Sequence, residues 1–111
     1  MTATLTATLD AVRMMTPYDE SPDTSWLEDQ PEWADRLAAY RRDEFAFVGV
    51  YAEATLTVGG QRMVVTSPGL WGIEDDSGPE YLAEVYREEL GELAHLLAPF
   101  GITLDDLTAA A

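Results

Sequence analysis

From Phe45 to Val58 the residues alternate between two sets. Ala46, Val48, Val50, Ala52, Ala54, Leu56 and Val58 fall on one side, and Phe45, Phe47, Tyr51, Glu53, Thr55 and Thr57 on the other. A period of two over that length specifies a long strand, and a smooth face of small apolar side chains is the floor on which a helix packs. Gly59 and Gly60 tolerate the positive φ that a tight two-residue turn requires. Residues 61 to 67 therefore pair back as the second arm of a hairpin, with Leu56 opposite Met63 and Ala54 opposite Val65. Those four side chains are expected to share the core face.

The flanks supply helices. Pro31 suits the first position of a helix, with Glu32 and Asp35 near its positive end, so a shorter helix is expected over 31–42 with Trp33, Leu37 and Tyr40 as its apolar stripe. Leu70 to Ile73 is a short apolar segment, followed by an acidic turn over 74–78 in which Ser77 or Gly78 can serve as N-cap. Pro79 then opens the longest element, a helix over 79–98 whose stripe is Leu82, Val85, Tyr86, Leu90, Leu93, Leu96 and Leu97. Pro99 and Gly101 close it. Thr103 and Asp106 have the spacing of a capping box for a last turn before a small-residue tail, placed at 103–111. At the other end, residues 1–10 read as a frayed lead-in to a strand ending near Met15, with Leu5, Leu9 and either Val12 or Met14 facing inward. Residues 1–111 thus read as a single α+β domain: an antiparallel sheet built on the 45–67 hairpin, the long helix across it, and the shorter helix.

Composition matters for what such a domain could do. Six arginines and no lysine stand against 21 acidic residues, a formal net charge of −15 over 111 residues. Fifteen of the 21 acids lie in two blocks, residues 19–35 and 74–92. In the second block Glu80, Glu84 and Glu88 repeat at four-residue spacing on the helix face opposite the leucines, and Glu92 continues the row. Like charges so placed each cost a few tenths of a kcal/mol (~0.2–0.5) in an isolated helix. Only those near Glu80 recover it from the helix dipole. The acidic surface read from this pattern is Glu74, Asp75, Asp76, Glu80, Glu84, Glu88 and Glu92. Its expected partner is a protein with a basic surface, which it would occupy in place of nucleic acid. One row is too sparse to imitate a duplex, because four helical residues advance about 6 Å whereas each DNA strand presents a phosphate every ~3.4 Å. The row would need a second track, from the 74–76 turn or from residues 19–35. The competing reading is a solubilising acidic surface of a lysine-poor chain.

Catalysis finds little support. Without cysteine there is no thiolate nucleophile, thiolate metal site or disulfide, and with a single histidine and no lysine a nucleophile–base pair would have to be built from carboxylates. His95 sits near a helix C-terminus, where a partly protonated imidazole suits the dipole. Glu53 is a carboxylate within an apolar strand, on its mixed face beside Tyr51 and Thr55, for which a surface or an arginine-paired glutamate is the default. The 74–78 turn carries oxygen ligands suited to Ca²⁺ or Mg²⁺ but lacks the spacing of a calcium loop. No cofactor or metal is expected, and the protein reads as a non-enzyme. No basic leader or long apolar run opens the chain, so a cytoplasmic location is expected, with neither membrane nor direct nucleic-acid binding. The alternative to acidic docking is an interaction module using exposed aromatic residues. Trp26 and Trp71 lie in turns, where a large ring either seals the core, the favoured role, or stands exposed as an interface anchor; they are the candidate anchors, Phe45 and Phe47 are further candidates, and Trp33 is expected in the core.

The run SPGLWGIEDDSG from Ser67 to Gly78, followed by YLAEV from Tyr81 to Val85 and a Leu/Glu-rich helix ending at Phe100, resembles a family of small acidic proteins encoded by phages, plasmids and other mobile elements. That family is typically written S-x-G-L-W-G-I-E-x-D-S and Y-L-x-E-V. The similarity extends upstream through Ser25 to Glu28 and Phe47 to Tyr51, and covers most of residues 13–102. Here Asp75 stands where serine is more usual. No catalytic role comes with the resemblance. It implies a mobile-element origin and, by association, an inhibitor of a host defence nuclease or DNA-binding protein.

Overall fold

The computed structural model describes residues 7–111. Its strands are β1 (Ala7–Met15), β2 (Phe47–Val58), β3 (Gln61–Thr66) and β4 (Leu70–Glu74). Its helices are α1 (Ser25–Asp29), α2 (Ala34–Arg41), α3 (Pro79–Leu97) and α4 (Leu104–Ala110), with 3-10 turns at Pro31–Trp33 and Ala98–Phe100. The architecture is α+β, with an antiparallel four-stranded sheet and the long helix α3 packed across it.

β2 is the centre of the sheet. The hairpin forms in the register that the alternation dictates, Leu56 opposite Met63 and Ala54 opposite Val65, with Gly59 and Gly60 at φ 56° and 82°. Val48 is flanked on one edge by Tyr18, in the chain that continues β1, and on the other by Ile73 of β4. β3 and β4 are therefore two lengths of one interrupted strand, broken at residues 67–69. Ser67 N–H still donates to Ala52 O (2.9 Å) across the break.

In β1 a bulge between Leu9 and Ala11 inserts Asp10, so Leu9 opposite Leu56 and Val12 opposite Ala54 face the same way although three residues apart. Val12 is buried while Met14 is exposed, which resolves the choice between them. Residues 7–10, expected to fray, are part of this strand; Leu5 and the rest of the expected lead-in lie outside the described residues.

One face of β2 is covered along its length, and the other at its Phe47 end. Against the small residues Ala52, Ala54 and Leu56 lie Leu90, Leu93 and Leu97 of α3, and further along Val48, Val50 and Ile73 meet Val85. Leu96, assigned to the same stripe, is exposed. On the opposite face Phe45 and Phe47 are buried with Leu27 beneath α1 and α2, so they are core residues and not docking anchors. Tyr40 packs on Phe47 at 5.1 Å between ring centroids, and Trp26 meets Phe47 edge-on at 6.5 Å. Trp33, expected in the core, is 41% exposed. The chain there winds as a 3-10 turn, whose three-residue period turns Trp33 off the stripe of Leu37 and Tyr40, and its ring rests edge-on against Trp26.

The carboxy-terminal segment expected as a tail is a docked helix. Thr103 and Asp106 make the reciprocal capping box, Asp106 N–H donating to Thr103 Oγ1 (3.2 Å) and Thr103 N–H to Asp106 Oδ2 (2.9 Å). One turn later Leu107 is fully buried in the cluster of Val12, Leu97 and Ile102. The alanines after it conceal an amphipathic turn with a single buried leucine, Leu104 being exposed.

Candidate acidic face and β4 groove

The seven carboxylates of the expected acidic surface separate into two groups. Glu74 and Asp76 are both bound by Arg36, which reaches across from α2; it bonds Glu74, and its Nη1 donates to Asp76 Oδ2 at 3.0 Å. The guanidinium also lies 3.8 Å over the centroid of the Phe45 ring. Asp76 and Glu74 raise the Arg36 pKa above its ordinary value, and the hydrogen bond from Arg36 holds the Asp76 carboxyl below its own. Asp75 is engaged with β2: its Oδ1 accepts from Ala46 N–H (3.1 Å) and its own N–H donates to Ala46 O (2.8 Å). These three residues fasten a turn to the sheet and to α2, with one guanidinium against three carboxylates. Among the described residues no group of three or more Asp, Glu, His or Cys is arranged to hold a metal.

Glu80, Glu84, Glu88 and Glu92 behave differently. All four are exposed along α3, and among the described residues none is in an ion pair. Arg87 is exposed on the same helix without bridging to them. Pro79 and Gly78 start the helix, with Gly78 at φ 98° and Ser77 Oγ donating instead to Glu74 O (2.6 Å), so no side chain caps this end. Only Glu80 is in the first turn, within range of the dipole.

Glu89, which the spacing alone counts with the acid of this block, is 8% exposed. Its Oε1 accepts from Ser67 Oγ (2.8 Å) and Gly69 N–H (2.6 Å), and Ser67 Oγ in turn accepts from Ala52 N–H (2.9 Å). The carboxylate ties α3 to the break between β3 and β4.

The other acidic block, residues 19–35, belongs to α1, α2 and their approach. The two helices cover the Phe47 end of the β2 face opposite α3, and the approach runs along the sheet edge, where Asp19 N–H donates to Phe47 O (2.8 Å). Glu28 lies 3.9 Å from Arg41, and Asp23 accepts from Ser25 N–H and Oγ. Neither candidate supplies a second track beside the row: two of the three carboxylates of the 74–76 turn are tied to Arg36, and α1 and α2 pack on the face of β2 away from α3.

Of the two candidate anchors, Trp26 is half-buried against Phe47 and seals the smaller cluster. Trp71 is 47% exposed. Its ring lies flat on Gly49, where an added Cβ would come within 2.3 Å of the indole, and its Nε1–H donates to Pro68 O (3.3 Å). Beside it a shallow groove of about 590 Å³ runs along β4, lined by Leu70, Trp71, Ile73, Glu74 and Tyr81 among others. Away from these sites, Glu53 is paired with Arg13 at 2.5 Å, and His95 is exposed in the last turn of α3. No helix among the described residues is long and apolar enough to cross a membrane.

Arg36, Gly49 and Glu89 carry positional roles that spacing did not reveal. For Gly49, the one signal is a glycine interrupting a β-branched run, a mark of close approach. Comparison with family models, curated proteins and solved structures returns no match.

Proposed function

We propose that this protein is a non-enzymatic binding protein that engages a basic protein surface through the acidic face of α3, and thereby competes with nucleic acid for that surface. The observation that carries the reading is the exposed row of Glu80, Glu84, Glu88 and Glu92, unpaired among the described residues. A surface shaped only for stability intersperses the two signs, and four-residue repeats of like charge weaken an isolated helix. With about 6 Å between successive carboxylates, the row matches cations spaced along one strand or helix better than it reproduces both phosphate tracks of a duplex. The resemblance to proteins of phages and other mobile elements supports a host target, an inhibitor or anti-defence role, and action in the host cytoplasm.

Affinity capture from a host extract tests this at low and at high salt, with elution by duplex DNA. The reading expects retained proteins to be nucleic-acid-binding, to leave as salt rises, and to be displaced by DNA. Retention of partners that ignore both salt and DNA contradicts it. The exposed Trp71 beside the β4 groove supports a second reading, docking through an aromatic anchor, under which binding survives high salt and fails on Trp71→Ala.

A further inference from the structure

The interrupted strand formed by β3 and β4 has one edge on β2, and among the described residues its other edge pairs with no strand. The Ser67–Ala52 hydrogen bond sets the phase of that edge. Antiparallel neighbours alternate between bonded and non-bonded pairs, so Gln61, Met63 and Val65 turn their backbone groups to β2, and Arg62, Val64 and Thr66 turn theirs outward. Natural edges are usually blunted by prolines or inward charges. Over β3 this one has no proline, carries Val64 at 57% and Met63 at 41% exposure, and has Arg62 as its only charge. Where β3 ends, the groove of Leu70, Trp71 and Tyr81 begins.

The charge beside the edge identifies what fits it. Glu89 points from α3 to Ser67 and Gly69 at the break in the strand. At about 100° per residue, Glu92 and Glu88 follow about 60° and 100° around the helix from Glu89, on the side away from the Leu93 and Leu90 core. The free edge is therefore bordered by acid. A second copy of this chain is a poor occupant, because antiparallel pairing of two β3 edges would place both α3 helices on one face of the joined sheet with these glutamates facing each other. A cationic strand meets the same groups as counter-charges.

We propose that the free edge of β3, continued by the β4 groove, accepts an added β-strand from a basic partner. The strand's backbone pairs with Arg62, Val64 and Thr66. Its apolar side chains lie along Val64 and Trp71, and its alternate cationic side chains face Glu88 and Glu92. This strand-addition mode takes affinity from main-chain bonds and specificity from alternate side chains. It rests on the acidic-face reading and adds the backbone edge to it.

The probe is a synthetic peptide of alternating arginine and valine, seven residues long by design, compared with a copy of equal charge whose valine amides are N-methylated. Amide exchange followed by NMR on the whole chain reads the edge directly. The proposal expects protection at Arg62, Val64 and Thr66 on adding the first peptide, at least about tenfold weaker binding of the methylated copy, and a similar loss in Val64→Pro. Because the outward amide of Val64 makes no bond to β2, that variant is expected to fold; the methylated peptide keeps the test decisive if it does not. Equal affinity for both peptides, with binding lost in Glu88→Gln/Glu92→Gln, overturns strand addition while the acidic-face reading stands. Binding indifferent to the glutamates and to methylation overturns both. Protection of the same amides by the protein's own association, without peptide, overturns the choice of occupant.

Discussion

The Ser67 hydroxyl donates to the buried carboxylate of Glu89 at 2.8 Å while accepting from Ala52 N–H at 2.9 Å. This relay joins the central strand, the break between β3 and β4, and the long helix. It converts what composition alone registers as one more surface acid into a structural tie.

Glu89→Ala leaves the Ser67 hydroxyl and the Gly69 amide without their acceptor in a water-poor site. A loss of about 2–4 kcal/mol is expected from two unsatisfied groups and the lost packing. Glu89→Gln keeps an acceptor oxygen and should recover most of it. Urea unfolding of the two variants checks the contrast, and equal losses would contradict the relay.

Gly49→Ala drives a methyl group into the indole of Trp71. Since the ring is half exposed it can swing outward, so a loss of about 1–3 kcal/mol is expected together with a red-shifted tryptophan emission. An unshifted spectrum with unchanged stability would contradict the placement of Trp71.

Arg36 binds Asp76 and Glu74 and lies over Phe45, and the Asp76 pKa is depressed by that contact. A carboxylate whose folded pKa is lowered stabilises the fold above its unfolded value, about 3.9, and the contribution fades as pH falls through the folded one. Arg36→Met should therefore destabilise the protein at pH 7, and the gap from wild type should narrow as pH falls below about 4. Because Asp76 is half exposed, the gap is expected to stay near or under ~1 kcal/mol beyond the loss of packing on Phe45. Unfolding measured across pH tests this, and a gap that widens in acid contradicts it.

Leu107→Ala removes the buried side chain that holds α4 on the main core, with an expected loss of about 2–4 kcal/mol. A free tail would tolerate the change without cost, so thermal unfolding of this variant decides between tail and docked helix.

How far the sequence could be read follows from which interactions are local. Period-two alternation and a glycine pair fix a hairpin through neighbouring residues, so Leu56–Met63 and Ala54–Val65 were legible to the residue. The α3 stripe and the Thr103–Asp106 box were legible for the same reason. Trp33 and the 103–111 segment were not, because a 3-10 turn and a single buried leucine carry little periodicity. Most long-range ties escaped: the Arg13–Glu53 pair was anticipated in kind because a carboxylate stands in an apolar strand, but Arg36 lies 38 residues from Glu74, Ser67 lies 22 from Glu89, and nothing local distinguishes those carboxylates from their exposed neighbours. Of the seven carboxylates read as one surface, the structure ties Glu74 and Asp76 to Arg36 and Asp75 to the Ala46 backbone, and leaves Glu80, Glu84, Glu88 and Glu92 exposed along α3.

The central claim is that the position of this charge, and not its amount, makes the binding surface. The most direct measurement compares two variants of equal net charge, Glu80/Glu84/Glu88/Glu92→Gln on α3 and Glu28/Asp29/Glu32/Asp35→Gln or Asn on α1, α2 and the turn between them, in affinity for a captured basic partner at several salt concentrations. The account predicts that the α3 variant loses affinity by at least about a hundredfold with a flatter salt dependence, and that the other stays within a few-fold of wild type. Equal losses in the two variants would contradict it.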